Sequence, residues 1–168
     1  MSDPGSGHLL QLPEAVRFAT ELHEAGKRLV VTNGCFDLIH AGHVRYLAAA
    51  RALGDALLVG LNSDGSAHAL KGPGRPIVPQ DDRAAVLLAL RAVDAVVIFD
   101  EPTAGPLLLA LRPPLYAKGG DYALGTGRQG TRLPEEPVVR GYGGAIHLIP
   151  YLAGHSTSAL IARIGGAP

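Results

Sequence analysis

Short apolar runs rich in β-branched residues alternate with amphipathic helical stretches along most of the chain, and this alternation restricts the fold more than any other feature. Arg28-Leu-Val-Val-Thr-Asn33 stands between Gly26 and Gly34 and reads as a strand buried on both faces. Ahead of it, Leu12-Pro13-Glu14 opens a helical pattern that runs to about Gly26, with the proline suited to the first turn. After it come a helix (about 43–53), a strand (56–61), a helix (80–91), a strand (94–99), a helix (103–111) and a strand (115–118). Ala145-Ile-His-Leu-Ile149 supplies a fifth strand, and Ser156 opens a last amphipathic helix that ends at Ile164. Strands joined through helices lie parallel, with the helices packed over the sheet. The expected fold is therefore doubly wound α/β, with about five parallel strands and helices on both faces. Residues 1–12, small and polar, are expected to be a flexible N-terminus, leaving 13–168 as one domain large enough to bury a core.

Two stretches break the rhythm. Residues 62–79 and 119–134 are rich in glycine, proline and basic side chains, are longer than most βα connections, and read as loops. In an open parallel sheet, ligands bind beyond the carboxyl ends of the strands. These two loops and the turn after the first strand are expected to converge on one site.

Composition narrows what that site can hold. The 15 basic residues balance the 15 acidic ones, so no summed field draws the chain to nucleic acid or to an anionic membrane. Any phosphate must be held locally. The one cysteine, Cys35, excludes an intramolecular disulfide framework and a multi-cysteine metal site. The opening residues lack the basic start and continuous apolar core of a signal peptide, and no apolar run approaches the length of a membrane span. A cytoplasmic chain with no nucleic-acid or membrane partner is expected.

Thr32-Asn-Gly-Cys-Phe-Asp37-Leu-Ile-His40-Ala-Gly-His43 concentrates the chemistry. A strand ends in a glycine turn, and a helix starts near Gly42 with two histidines three residues apart at its mouth. Gly34 and Gly42 let phosphates approach the backbone, and the free N–H groups of a helix start favour an anion. His40 and His43 share a helix face, so both imidazoles can donate hydrogen bonds to charge that grows during phosphoryl transfer. Two histidines at a surface helix cap are the bland alternative.

The segment Gly34-Cys-Phe-Asp-Leu-Ile-His-Ala-Gly-His43 resembles the HxGH signature of the cytidylyltransferase-like nucleotidyltransferases, which have a Rossmann-like α/β fold. Asn62-Ser-Asp64, Lys71-Gly-Pro-Gly-Arg75-Pro76, the Arg83 helix, Val93-Asp94 and Lys118-Gly-Gly-Asp121-Tyr122 are similar to the adenylyltransferase domain that makes an ADP-activated heptose from D-glycero-D-manno-heptose 1-phosphate. Gly154-His-Ser156-Thr157-Ser158 resembles that family's closing Ser-Thr-Thr segment, with serine in place of the second threonine. The likeness runs from about residue 28 to residue 164. It implies catalytic roles for His40, His43 and Lys71. Nucleotide contacts would come from Gly34, Cys35, Phe36, Gly42, Lys118, Gly119, Asp121, Ser156, Thr157 and Ser158, with Cys35 offering its backbone N–H rather than its sulfur. Sugar-phosphate contacts would come from Asp37, Asn62, Asp64 and Arg75. Residues 123–134 look longer and more basic than the family pattern.

Bland readings stay open beside these. Lys71 also reads as a solvated loop lysine, although its place after Asn62-Ser-Asp64 favours the phosphate-binding role that the resemblance implies. A surface salt bridge explains Arg75 and Arg83 about as well, and Asp37 also reads as a cap of the following turn. The remaining histidines have no evident role.

The implied reaction is attack by a sugar 1-phosphate oxygen on the α-phosphorus of ATP with release of pyrophosphate. Mg²⁺ would be bound with ATP, and no protein residue is named as its ligand. A separate sugar kinase and phosphatase would act beforehand, and the apolar helices of a small α/β domain suit a homodimer. Alternatives are a glycerol 3-phosphate-type cytidylyltransferase, a non-catalytic nucleotide-binding module, and a fragment of a class I tRNA synthetase, the last lacking length and basic tracts.

Overall fold

A computed structural model of the chain describes residues 7–120, 122–124, 131–150 and 156–166. In chain order the elements are β1 (His8–Leu9), α1 (Leu12–Glu24), β2 (Leu29–Gly34), α2 (Ala41–Arg51), β3 (Ala56–Asn62), α3 (Asp64–Lys71), α4 (Gln80–Leu88), β4 (Ala95–Phe99), α5 (Gly105–Leu111), β5 (Leu115–Gly119), β6 (Tyr122–Ala123), β7 (Thr131–Arg132), α6 (Glu136–Gly141), β8 (Ala145–Ile149) and α7 (Thr157–Ile164). Six strands form one parallel sheet in the order β1-β4-β3-β2-β5-β8. No described helix is long and apolar enough to cross a membrane.

Strand alternation divides the core in two. Leu29, Val31 and Leu58 face a cluster with Ala15 and Ala19 of α1, Leu107, Leu108 and Leu111 of α5 and Val139 of α6. Val30, Leu57 and Val59 face the opposite cluster, with Leu47 and Ala50 of α2 and Ala84 and Leu87 of α4. All seven residues of β3 are buried, as expected of a central parallel strand covered on both sides.

The chain leaves β2 toward β3 and β4, and α5 then carries it back to β5 on the other flank of β2. This reversal of strand order is the switch point at which an open parallel sheet presents its crevice. Backbone pairing records the split. β2 and β3 pair in register over six residues, whereas β2 and β5 pair through Val30 with Leu115 and Val31 with Tyr116. Beyond those two pairs, side chains bridge the seam: Tyr116 Oη and Lys118 Nζ, the latter at 2.8 Å, both donate to Asn33 Oδ1.

Several features differ from the sequence reading. The sheet has a sixth strand, because residues 8 and 9, expected to be loose, pair with Ala95 and Val96 at the sheet edge. A two-residue strand containing a histidine carries no periodic signal. Residues 62–79 are not all loop: α3 begins where the Ser63 hydroxyl accepts the Ser66 N–H, an N-cap with Asp64 in the first turn. It ends at Gly72, whose φ of 87° suits glycine alone. Lys71 is therefore the last residue of a helix. Within 119–134, β6 pairs with β7, and α6 follows, too short and too proline-interrupted for a helical pattern. Helix α2 starts two residues earlier than expected because His40 caps it.

Arg83 of α4 is 1% exposed and is no surface salt-bridge partner. Its guanidinium donates to the carbonyls of Val78 (2.8 Å), Cys35 (2.6 Å) and Asn62 (2.9 Å) and to Asp64 Oδ1 (2.7 Å). It thereby joins the ends of β2 and β3 to the segment before α4. Arg83→Ala strands those carbonyls and should lower unfolding free energy by about 3–5 kcal/mol, read from urea denaturation. Arg83→Lys should recover only part, since an ammonium lacks the planar fork that reaches separate segments.

Candidate active site

The carboxyl ends of β2, β3 and β5 open onto a cavity of about 810 Å³, within the range of small-ligand sites. Its rim begins with the turn after β2. Phe36 adopts a φ of 44°, a left-handed conformation uncommon outside glycine. A Cβ on Gly34 would stand 3.0 Å from the Phe36 ring, so any side chain there would press the ring out of its present place. Below them, Arg83 holds the Cys35 carbonyl. Burial raises the Cys35 thiol pKa, with Lys71, Arg83, Lys118 and Arg75 opposing, so the sulfur is held as a thiol and not as a nucleophile.

Asp37 lines the cavity, but its carboxylate is engaged. It accepts from Arg75 Nε at 2.6 Å and from the N–H groups of Ile77 (2.8 Å) and Val78 (2.9 Å). Burial pushes its pKa up, but those two N–H groups and the guanidinium outweigh burial and hold the carboxyl below its ordinary range. Asp37 is thus the anchor of the 75–78 segment rather than a cap of the following turn.

The histidines are fixed by the start of α2. His40 Nδ1 accepts the Gly42 N–H at 3.1 Å, and His43 Nδ1 accepts the His40 N–H at 3.4 Å. The Gly42 N–H is therefore directed to His40. The imidazoles stack with centroids 3.9 Å apart, and Phe36 lies 5.4 Å from the His43 ring. With Nδ1 accepting, the proton of each neutral ring resides on Nε2, and both residues line the cavity. Burial, aided by the repulsion that a proton on His40 would exert and opposed by the Leu38 carbonyl, pushes the His43 pKa down to about 4.

Lys71 and Arg75 line the cavity from α3 and the segment after it, and Asn62 lines it from the end of β3. Asn62 is buried, with Nδ2 on Ser66 Oγ. Asp64 is absent from the cavity lining; its carboxylate pairs with Arg83. Lys118 and Gly119 enter from β5. Lys118 donates to Asn33 and lies 5.6 Å above the Tyr122 ring, its pKa lowered by burial against the opposing charges of Glu135 and Cys35. Ser156, Thr157 and Ser158 close the wall. The Ser156 hydroxyl caps α7 by accepting the Ala159 N–H at 3.1 Å, and the Thr157 hydroxyl donates to the Leu38 carbonyl at 3.4 Å. Asp121 lies outside the described residues.

Sequence reasoning missed several site residues. Asn33 lines the cavity but sits inside a strand as an ordinary β residue, and its bridges to Lys118 and to the core residue Tyr116 form only once β5 lies beside β2. Glu135 carries no motif, yet it is 5% exposed and lines the cavity, with Oε1 accepting the Ala104 N–H at 3.2 Å. A proline followed by two glutamates in an apolar stretch was the one available signal.

Residues 31–147 match the family described as cytidylyltransferase-like. Similar proteins include the bifunctional protein HldE of Syntrophotalea carbinolica, 46% identical over 156 residues, which are 92% of this chain and 31% of that one. HldE of Methylobacillus flagellatus is 50% identical over 144 residues (83% and 27%), and that of Streptomyces coelicolor 53% identical over 135 residues (80% and 28%). The chain spans less than a third of the length of these relatives. Among solved structures, the lipopolysaccharide core biosynthesis protein of Thermoplasma volcanium matches with a TM-score of 0.59 at 23% identity, over 76% of this chain and 98% of that one. Pantoate-beta-alanine ligase of Francisella tularensis, complexed with beta-gamma ATP and beta-alanine, matches with a TM-score of 0.59 at 10% identity, over 94% and 77%. At such identities these two likenesses speak to the fold alone.

The state of His43 can be measured directly. With a pKa of about 4 against 6.5 when unperturbed, it stays neutral at pH 7. Below pH 6.5 the unfolded chain takes up this proton before the folded one, so its contribution makes stability fall as pH drops from 6.5 toward 4 and is flat above. An NMR titration of the imidazole should show no inflection near 6.5, and added inorganic triphosphate should raise the midpoint by supplying negative charge.

Proposed function

The chain belongs to the cytidylyltransferase-like family and is a nucleotidyltransferase; from that premise we propose that it transfers AMP from ATP to a sugar 1-phosphate, releasing pyrophosphate, with a heptose 1-phosphate as acceptor. The observation that carries the proposal is the paired imidazoles at the start of α2. Each has its Nδ1 turned to the backbone, and both line a cavity that Lys71, Lys118 and the start of α7 also line. The choice of ATP and heptose rests on Lys118-Gly-Gly-Asp121-Tyr122 and Ser156-Thr157-Ser158, and on relatives that bear the name HldE.

In this mechanism an oxygen of the sugar 1-phosphate attacks the α-phosphorus of ATP in line with the departing pyrophosphate. The new O–P bond forms as the α–β bridging P–O bond breaks, and the electron pair leaves with pyrophosphate. A phosphate monoester is already ionised near neutrality, so the enzyme supplies alignment and donors rather than a base. His40 and His43 act as neutral donors from Nε2, and Lys71 neutralises charge on the phosphates. The N–H groups at the start of α7 that Ser156 leaves unused, that of Thr157 among them, hold the terminal phosphates with the Ser158 hydroxyl, while the Thr157 hydroxyl ties α7 to the Leu38 carbonyl.

Mg²⁺ fits this site as a companion of the triphosphate. Asp37, the carboxylate nearest in sequence to the histidines, is consumed by Arg75 and two backbone N–H groups. The ion would keep nucleotide oxygens and waters as ligands and would spread the charge of the leaving group.

Pyrophosphate release should be measured with ATP, CTP, GTP and UTP, each against D-glycero-D-manno-heptose 1-phosphate, other hexose 1-phosphates and glycerol 3-phosphate. ATP with the heptose phosphate should exceed CTP by about tenfold or more in kcat/KM, roughly 1.4 kcal/mol. A preference for CTP with glycerol 3-phosphate would replace the proposal with the cytidylyltransferase reading.

The histidines are proposed to serve the transition state. His40→Ala and His43→Ala should each lower kcat by roughly 100- to 1000-fold while changing KM for ATP little. Near-normal turnover in either variant removes that residue from the mechanism.

A further inference from the structure

Among the described residues, two buried side-chain atoms lack a hydrogen-bond partner, Tyr142 Oη and Glu135 Oε2, and of these two residues Glu135 lines the cavity. Its carboxylate is half used. Oε1 takes the Ala104 N–H, while Oε2 meets no donor among the described residues. Lys118, whose ammonium Glu135 favours through space, directs its hydrogen bonds to Asn33 instead. Native structures rarely leave a buried carboxylate oxygen unsatisfied, and such an atom at a cavity wall is a mark of ligand contact.

The chemistry of Oε2 restricts what it can meet. A carboxylate repels phosphate, so the phosphate groups belong with the histidines and Lys71 and not against Glu135. An ionised carboxylate is an acceptor only, so its partner donates, and neither proposed substrate offers a cationic donor. Its bond to the Ala104 N–H and its place next to Pro134 set Glu135 between the β4–α5 connection, whose Pro102 and Thr103 also line the cavity, and the approach to α6. Both proposed substrates carry uncharged donors in the form of ring hydroxyls. Resting on that proposed reaction, we propose that Glu135 Oε2 accepts a hydrogen bond from a sugar-ring hydroxyl, on the acceptor or on the ribose of the nucleotide, and so selects hydroxylated ligands over their deoxy counterparts.

The test is made by calorimetric titration of the full chain, using Glu135→Gln, which keeps Oε1 for Ala104 and the side-chain volume. Glu135→Asp is the second variant, keeping the charge beside Lys118 while withdrawing the carboxylate. Melting curves should show both variants folded. ATP, 2′-deoxy-ATP and 3′-deoxy-ATP are titrated into each protein, and D-glycero-D-manno-heptose 1-phosphate into each protein saturated with α,β-methylene-ATP. A ribose contact makes wild type favour ATP over one deoxy analogue by about tenfold and leaves the variants indifferent. An acceptor contact weakens the heptose phosphate about tenfold in the variants and leaves ATP unchanged.

Either pattern supports the assignment. Affinities that match wild type for every ligand overturn it. So does a loss of ATP affinity shared equally by the deoxy analogues, which points to the base. The proposed reaction fails by a different sign: wild type would release no pyrophosphate from ATP with the heptose phosphate, while the ribose titrations still report on Glu135. If those titrations then show no hydroxyl dependence, the Glu135 assignment falls too.

Discussion

A guanidinium buried under the active-site turn cannot shed its charge, and each of its N–H groups needs an acceptor. Arg83 meets that demand with carbonyls from the turn after β2, the end of β3 and the segment before α4, and with the Asp64 carboxylate. The three segments are remote in sequence, and the planar fork holds them at fixed separations. Asp37 extends the lock on the cavity side, taking the N–H groups of Ile77 and Val78 and the Arg75 side chain. The position of the β2–α2 turn, and with it the histidine pair, follows from these two charged groups. Neither needs to touch a ligand to exert this effect.

The histidines show how a short motif is made rigid. An N-cap is usually a serine or an aspartate, whereas here an imidazole fills the role and its Nδ1 takes the Gly42 N–H. Capping fixes the ring and selects its tautomer together. Stacking at 3.9 Å discourages double protonation, and partial burial deepens the effect at His43. The result is a pair of neutral donors set before any ligand arrives, the arrangement in which hydrogen bonds act on developing charge without reorganisation.

Legibility in the sequence followed the range of the interactions. The strand and helix alternation was readable because each period is local, and the histidine motif because its capping geometry spans four residues. Arg83 and Asp37 were misread or left open because their partners lie up to 48 and 41 residues away, so nothing near them signals burial. α3 was read as loop because its serine, aspartate and glycine composition suits turns as well as helix starts. β1 was missed because an edge strand of two residues is defined by the register of β4 and not by its own pattern. Asp64 resembled a ligand-binding residue by sequence, yet its carboxylate pairs with Arg83 outside the cavity lining.

The seam between β2 and β5 separates the part of the sheet that sets stability from the part that sets recognition. Below it, main-chain ladders and the two apolar clusters are indifferent to which side chains stand above. Beyond the last backbone pair, the strands are joined through the side chains of Asn33 and Lys118, and substitutions at these two cavity-lining positions alter the shape and polarity of the crevice without unpicking the β2–β5 ladder. A lineage built on this sheet can therefore change its substrates by drift at such strand-end positions while the β2–β5 backbone pairing is kept. In that sense the seam is a site of evolvability, where new specificities can arise inside an unchanged architecture.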